Sequence, residues 1–170
     1  MEEREEFQTA EIALSRAKAL FNATVGQPDP DKCAQLAAAI GALMEEREEF
    51  QTAEIALSRA NALSNATVGQ PDLDKRAQLA AAIEALMAER EEFQTAEIAL
   101  ERARAWILVA WAQTDAEQVA TGLERSAEGL DLILGSEAGL AGLTKFLRLL
   151  KANSAPATVV STVRGWLSGS

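Results

Sequence analysis

Clustered glutamates are the residues of this chain best placed to do chemistry. Glu-Glu-Arg-Glu-Glu occupies positions 2–6 and again 45–49, with a trimmed form at 89–92. Paired carboxylates can hold a divalent metal or exchange protons. Helical di-metal sites normally add histidine at a Glu-x-x-His spacing, and this chain has no histidine. Consecutive glutamates also point to different sides of a helix. The pattern reads as a solvated face with local Glu–Arg pairs. The expectation is no metal, no cofactor and no catalytic residue.

Cys33 is the single cysteine. It falls near an expected helix start, which could lower its pKa. Its counterpart in the repeat described below is Arg76, so Cys33 is expected to lie exposed and outside any reaction. No glycine loop suited to phosphate is present; Gly135, Gly139 and Gly142 are spread along a helix-forming region and suit helix packing. Residues 142–151 form a basic amphipathic stretch, expected to pack in the core, with a partner contact as the second reading. Trp106, Trp111 and Trp166 could stack on a ligand, but tryptophan in an alanine-rich bundle more often fills the core.

The elements that carry these residues are organised by a repeat. Residues 2–44 and 45–87 are two copies of one 43-residue unit, differing at Lys18/Asn61, Phe21/Ser64, Pro30/Leu73, Cys33/Arg76 and Gly41/Glu84. The first half recurs from residue 89, so Phe7, Phe50 and Phe93 share one period. Near-identity means a recent duplication, natural or engineered. A period of this length marks stacked helical hairpins.

Composition sets outer limits. The chain has 170 residues, enough for a real core. Net charge is -10, and it is local: residues 1–101 carry 20 acidic and 9 basic side chains, residues 102–170 carry 6 and 7. An acidic repeat half repels phosphate, so no nucleic-acid partner is expected. The longest fully apolar run, 105–112, is far short of a membrane span. With no secretory segment visible, a soluble, cytoplasmic protein is expected.

The chain reads as all-α. A first helix is expected over 2–25, stopped by Gly26. A second begins at Pro30, capped by Asp29. Leu36, Leu43, Phe50, Leu57 and Ser64 hold one seven-residue register across the copy boundary, with no Gly or Pro at the join. One continuous helix is therefore expected over 30–67, roughly 38 residues or about 57 Å. A third, capped by Asp72, repeats the design to about residue 113 and bridges two regions. Those regions are tandem hairpins over 1–88 and a small helical bundle over 89–170. Short loops make neighbours antiparallel, in staggered pairs. The bundle is expected to have helices over 116–134, 137–152 and 157–167, wrapped on the stretch 106–111, which is apolar all round.

This architecture points to a non-enzymatic structural or protein–protein interaction protein. Long Leu/Phe/Ala seams offer more apolar face than one staggered neighbour covers. A homo-oligomer, most simply a two-fold dimer, would cover the rest. The residues expected at such contacts are Phe7, Leu14, Phe21, Phe50, Leu57, Phe146 and Leu150. The alternative is a monomeric adaptor holding a partner's helix in a groove. A third reading is a small-molecule site around Trp106 and Trp111.

Overall fold

The structure, a computed structural model, describes residues 2–169, with side chains from residue 9 onward. Among the described residues it is all-α, with no strand. The helices are α1 (Glu2–Asn22), α2 (Pro30–Glu46), α3 (Ala53–Thr67), α4 (Leu73–Glu89), α5 (Ala96–Ala112), α6 (Ala116–Ala127), α7 (Leu130–Leu134), α8 (Glu137–Ala152) and α9 (Ala157–Ser168).

The starts follow from side-chain caps. Asp29, Asp72 and Asp115 each accept two backbone N–H bonds at the heads of α2, α4 and α6. Capping of this kind stabilises a helix end by about 1 kcal/mol. Gly26 and Gly69 take positive φ in the turns that close the first two hairpins. Antiparallel pairs α1–α2, α3–α4 and α5–α6 result, and α1, α3 and α5 stack side by side.

The expected unbroken helices over 30–67 and 73–113 are not present. Each copy join is a turn. Arg47 and Arg90 are extended, short 3-10 turns follow at Glu48–Phe50 and Glu91–Phe93, and Thr52 and Thr95 cap the next helix. The staggered rods are thereby replaced by stacked hairpins. The physical reason is burial. Folding back lets α2 pack on α3 and α4 on α5, and it drives Phe50 and Phe93 to 4% and 0% exposure. A straight rod would keep a few more backbone bonds. The turn recovers part of them, through Phe50 N–H to Arg47 O at 3.1 Å and Ala56 N–H to Thr52 O at 2.9 Å. A rod would also hold four glutamates around Arg47 within one stretch of helix, with like charges at i,i+4. The same words at residues 2–10 run straight on as helix in α1. Local sequence therefore allows either state, and a preceding helix to fold against selects the turn.

Helix α5 is the hub. It touches α3, α4, α6, α7, α8 and α9, and 11 of its 17 residues are buried, as an all-round apolar helix requires. The expected single helix over 116–134 is also broken. Gly129 adopts φ 77° between α6 and α7, a conformation glycine takes without strain. Arg102 Nη1 donates to Glu128 O at 2.9 Å, fixing that break against α5. The C-terminal helices sit close because of glycine. A Cβ on Gly139 would lie 2.4 Å from Ile133 O, and one on Gly142 would lie 2.4 Å from Leu100 Cδ2.

Gly139→Ala should therefore destabilise the fold by about 1–3 kcal/mol, since its clash is with backbone. Gly165→Ala, in α9 with nothing within 4 Å of the added atom, should stabilise by about 0.5–1 kcal/mol. Denaturant unfolding of both variants checks the pair; equal effects would contradict the packing described.

Candidate functional site

Stacked repeats bring equivalent positions side by side. Helices α1, α3 and α5 thus carry matched rows: Lys18, Asn61 and Arg104; Phe21, Ser64 and Ile107; Ser15, Ser58 and Glu101. Two adjoining hollows of about 390 Å³ and 410 Å³ run over these rows, sharing Phe21 and Asn61. Two of the five differences between the copies, Lys18/Asn61 and Phe21/Ser64, fall in these rows.

Glu101 lies at the floor. It is 6% exposed and its carboxylate accepts from Arg104 Nη1 at 2.6 Å. Burial pushes its pKa above the usual carboxylate value, while Arg104 and a hydrogen bond from Ser64 pull the other way. Arg104 also lies over the Phe146 ring, 5.5 Å from its centroid. Asn65 Nδ2 donates to Thr24 Oγ1 at 2.8 Å, and Thr24 Oγ1 donates to Phe21 O at 2.7 Å. Asn61 Nδ2 donates to Leu57 O at 2.9 Å. Asn65–Thr24 thus ties α3 to the turn after α1, and Ser64–Glu101 ties α3 to α5. A buried carboxylate can move a proton; here it is held by Arg104 and by the Ser64 hydroxyl. Among the described residues no cluster of His, Cys, Asp or Glu could hold a metal ion.

Cys33 corrects the expectation of exposure. It is 1% exposed, tucked under the turn, with Sγ 3.8 Å from Thr24 O. Burial, then Asp29, raises its pKa, which disfavours the reactive thiolate. Arg76 at the matching place does not need an exposed site. Its long side chain leaves the core and donates to Gln70 O and, at 3.1 Å, to Leu108 O, closing the end of α5.

A second polar cluster joins α4, α5 and α6. Arg102, with 8% side-chain exposure, donates to Glu84 Oε1 at 2.8 Å and also pairs with Glu128, while Arg125 reaches Glu84 Oε2 at 3.4 Å. One copy earlier the same arginine position is Arg59. There it packs over Gly41, whose missing Cβ leaves the room, because that atom would sit 3.0 Å from Arg59 Cζ.

The expected contact residues are largely spent inside the molecule. Phe50, Phe146 and Leu150 are buried; Leu14, Phe21 and Leu57 are half-buried. Phe21 and Leu57 meet across the second hollow. The side chain of Phe7 lies outside the described residues. Trp106 is 5% exposed and Trp111 half-buried, and neither lines the two hollows.

The outer face of α1 is open among the described residues. Ile12 is 60% exposed, whereas its equivalents Ile55 and Ile98 are 1% and 0% exposed. Ser15, Ala19 and Ala23 are likewise exposed, whereas Ser58, Ala62 and Ala66 are buried. The chemistry is identical and only the neighbour differs. In α3 and α5 that face is covered by the preceding hairpin. Residue-by-residue comparison of the copies could have revealed this; the register of Leu and Phe alone does not.

No family model, curated protein or solved structure matches the chain.

Two outcomes test the polar clusters. Because the native pKa of Glu101 is raised above the unfolded value of about 4.3, the native state holds more protons between those two pKa values. Its stability penalty is full above the native pKa and fades as pH falls through the native pKa toward the unfolded one. Glu101→Gln, which removes this titration, should gain most over wild type on the alkaline side of the native pKa and progressively less as pH falls toward the unfolded value. A gain that grows on acidification would mean Arg104 outweighs burial. Separately, Arg102→Met should cost about 2 kcal/mol, below the roughly 3–5 kcal/mol of a fully buried pair, because Glu84 and Glu128 still reach solvent. Arg90→Met, which removes only exposed pairs, should change stability by less than about 1 kcal/mol. Urea unfolding separates the two.

Proposed function

We propose that this chain is a non-enzymatic helical-repeat protein that works by protein–protein docking. Its docking surface is the outer face of α1, and what docks there is another helical element. The observation that carries this reading is Ile12, open to solvent where both of its repeat equivalents are buried beneath a preceding hairpin. A face repeated three times and covered twice has the shape and chemistry for helix packing.

The groove reading has less support. In the first hollow Glu101 is bonded to Arg104 and Asn65 to Thr24, so a partner's helix laid there would have to displace internal bonds. The buried Phe50, Phe146 and Leu150 likewise argue against docking through the Leu/Phe seam as a whole. No described helix is long and apolar enough to cross a membrane.

The test is a chain with one more copy of residues 2–44 placed ahead of residue 2. If α1 offers a competent docking face, the added hairpin should fold onto it. The denaturant m-value and total stability should both rise in a single transition, and Ile12→Glu should abolish the gain. An added copy that stays protease-sensitive and leaves unfolding unchanged would refute the reading.

A further inference from the structure

We infer that the hollow of about 390 Å³ between the first turn and helices α3 and α5 is a binding site for a small organic cation, a primary amine on a short apolar body. Its size falls in the lower part of the range of ligand sites, about 300–1,000 Å³. The inference stands apart from the docking face of α1, since Ile12, Ser15, Ala19 and Ala23 do not line this hollow.

Two asparagines of α3 line the hollow, and their bonds fix which way each amide is turned. Leu57 O can only accept, so the Asn61 amide gives it an N–H. The Thr24 hydroxyl spends its hydrogen on Phe21 O, so it accepts from Asn65 Nδ2. In both amides the nitrogen is thereby turned to the protein, and Oδ1 is left to accept. Asn61 and Asn65 are four residues apart on α3, so they share a face. Glu101, at the floor, accepts from Arg104 and Ser64, and a carboxylate can accept about four such bonds. The hollow thus offers acceptors from three side chains, and a primary ammonium carries about as many donors.

Charge and lining select a cation over an anion. Arg104 is the cation that lines the hollow, and its guanidinium is committed elsewhere. Nη1 bonds Glu101, Nε is enclosed, and Nη2 lies toward α8, 4.0 Å from where a Gly142 Cβ would stand. Residues 1–101 carry 20 acidic and 9 basic side chains, a field that draws cations and repels carboxylates. The walls suit an apolar body. Phe21 stands half-buried at the rim, where a ring face attracts an ammonium. Val25 and Val68 are 64% and 59% exposed in the same hollow, and a bound hydrocarbon would take them out of water. Such a ligand keeps the internal bonds of the hollow, because it uses lone pairs that those bonds leave free.

Titration calorimetry of the full chain with phenethylamine tests this, with 3-phenylpropionate and 2-phenylethanol as anionic and neutral probes of like size. Phenethylamine should bind one site per chain, about tenfold or more tighter than either control, as charge-assisted hydrogen bonds require. Asn61→Lys, which places the first copy's residue at this position, should weaken amine binding by about tenfold or more while leaving the melting temperature unchanged. Leu149→Glu, at a 50% exposed position on α8, should leave binding intact. In the wild-type chain the side-chain amide resonances of Asn61 and Asn65 should shift as the amine is added. No saturable binding at millimolar amine overturns the inference. So does a control that binds as tightly as the amine, or binding that persists in Asn61→Lys or is lost in Leu149→Glu. If Asn61→Lys fails to fold, the wild-type amide resonances decide: shifts uphold the site, and resonances that stay still overturn it.

Discussion

Coverage of one hairpin by the hairpin before it is the constraint on which this structure depends. Ile55 and Ile98 are inside because a helix pair lies over them, whereas Ile12 has no such pair over it among the described residues and is exposed. A 43-residue unit of two helices cannot bury both sides of its first helix by itself. Stacking supplies the missing side, and the joins at Arg47–Thr52 and Arg90–Thr95 are bent so that it can. The cost is a few helical hydrogen bonds at each join. The return is a fully buried phenylalanine and two packed helix faces, each large side chain contributing about 1.5–3 kcal/mol.

Three of the five differences between the copies track position in the stack. Gly41 makes room for Arg59, while its counterpart Glu84 binds Arg102 and so links to α6. Cys33 fills a pocket under the first turn, while Arg76 reaches past it to the end of α5. Phe21 stands half-buried at the rim, while Ser64 lies beneath and bonds the Glu101 carboxylate. At these three positions the middle copy carries polar side chains, two of which bond α5 while Glu84 pairs with Arg102 of α5 and Arg125 of α6.

Much of the fold was legible in the sequence because its signals are local. Asp29, Asp72 and Asp115 mark helix starts by chemistry that does not depend on the rest of the chain. Gly135 and Ser136 end one helix, and the expected span 137–152 is the one observed. The all-round apolar stretch at Trp106 marked the hub. The breaks at the copy joins were not legible from periodicity, because a seven-residue register fits a rod and a folded-back hairpin equally well. Thr52 and Thr95 were the available signals, and threonine is both a modest helix former and a good cap. The break at Gly129 was missed for a related reason: one glycine is tolerated inside a helix unless a tertiary contact, here Arg102, holds the chain open. Among the surface residues, Phe21 stands out in the sequence because the copies differ there, whereas Ile12 does not, because the copies share it.

Residues 10–17 and 53–60 have the same sequence, Ala-Glu-Ile-Ala-Leu-Ser-Arg-Ala, so their amides exchange at equal rates when unfolded. Native-state hydrogen exchange on a dilute sample, where copies do not pair, therefore isolates the effect of the neighbour. The account expects the α3 amides to exchange orders of magnitude more slowly than their α1 twins. Equal protection in the two helices would contradict the claim that each hairpin is completed by the one before it.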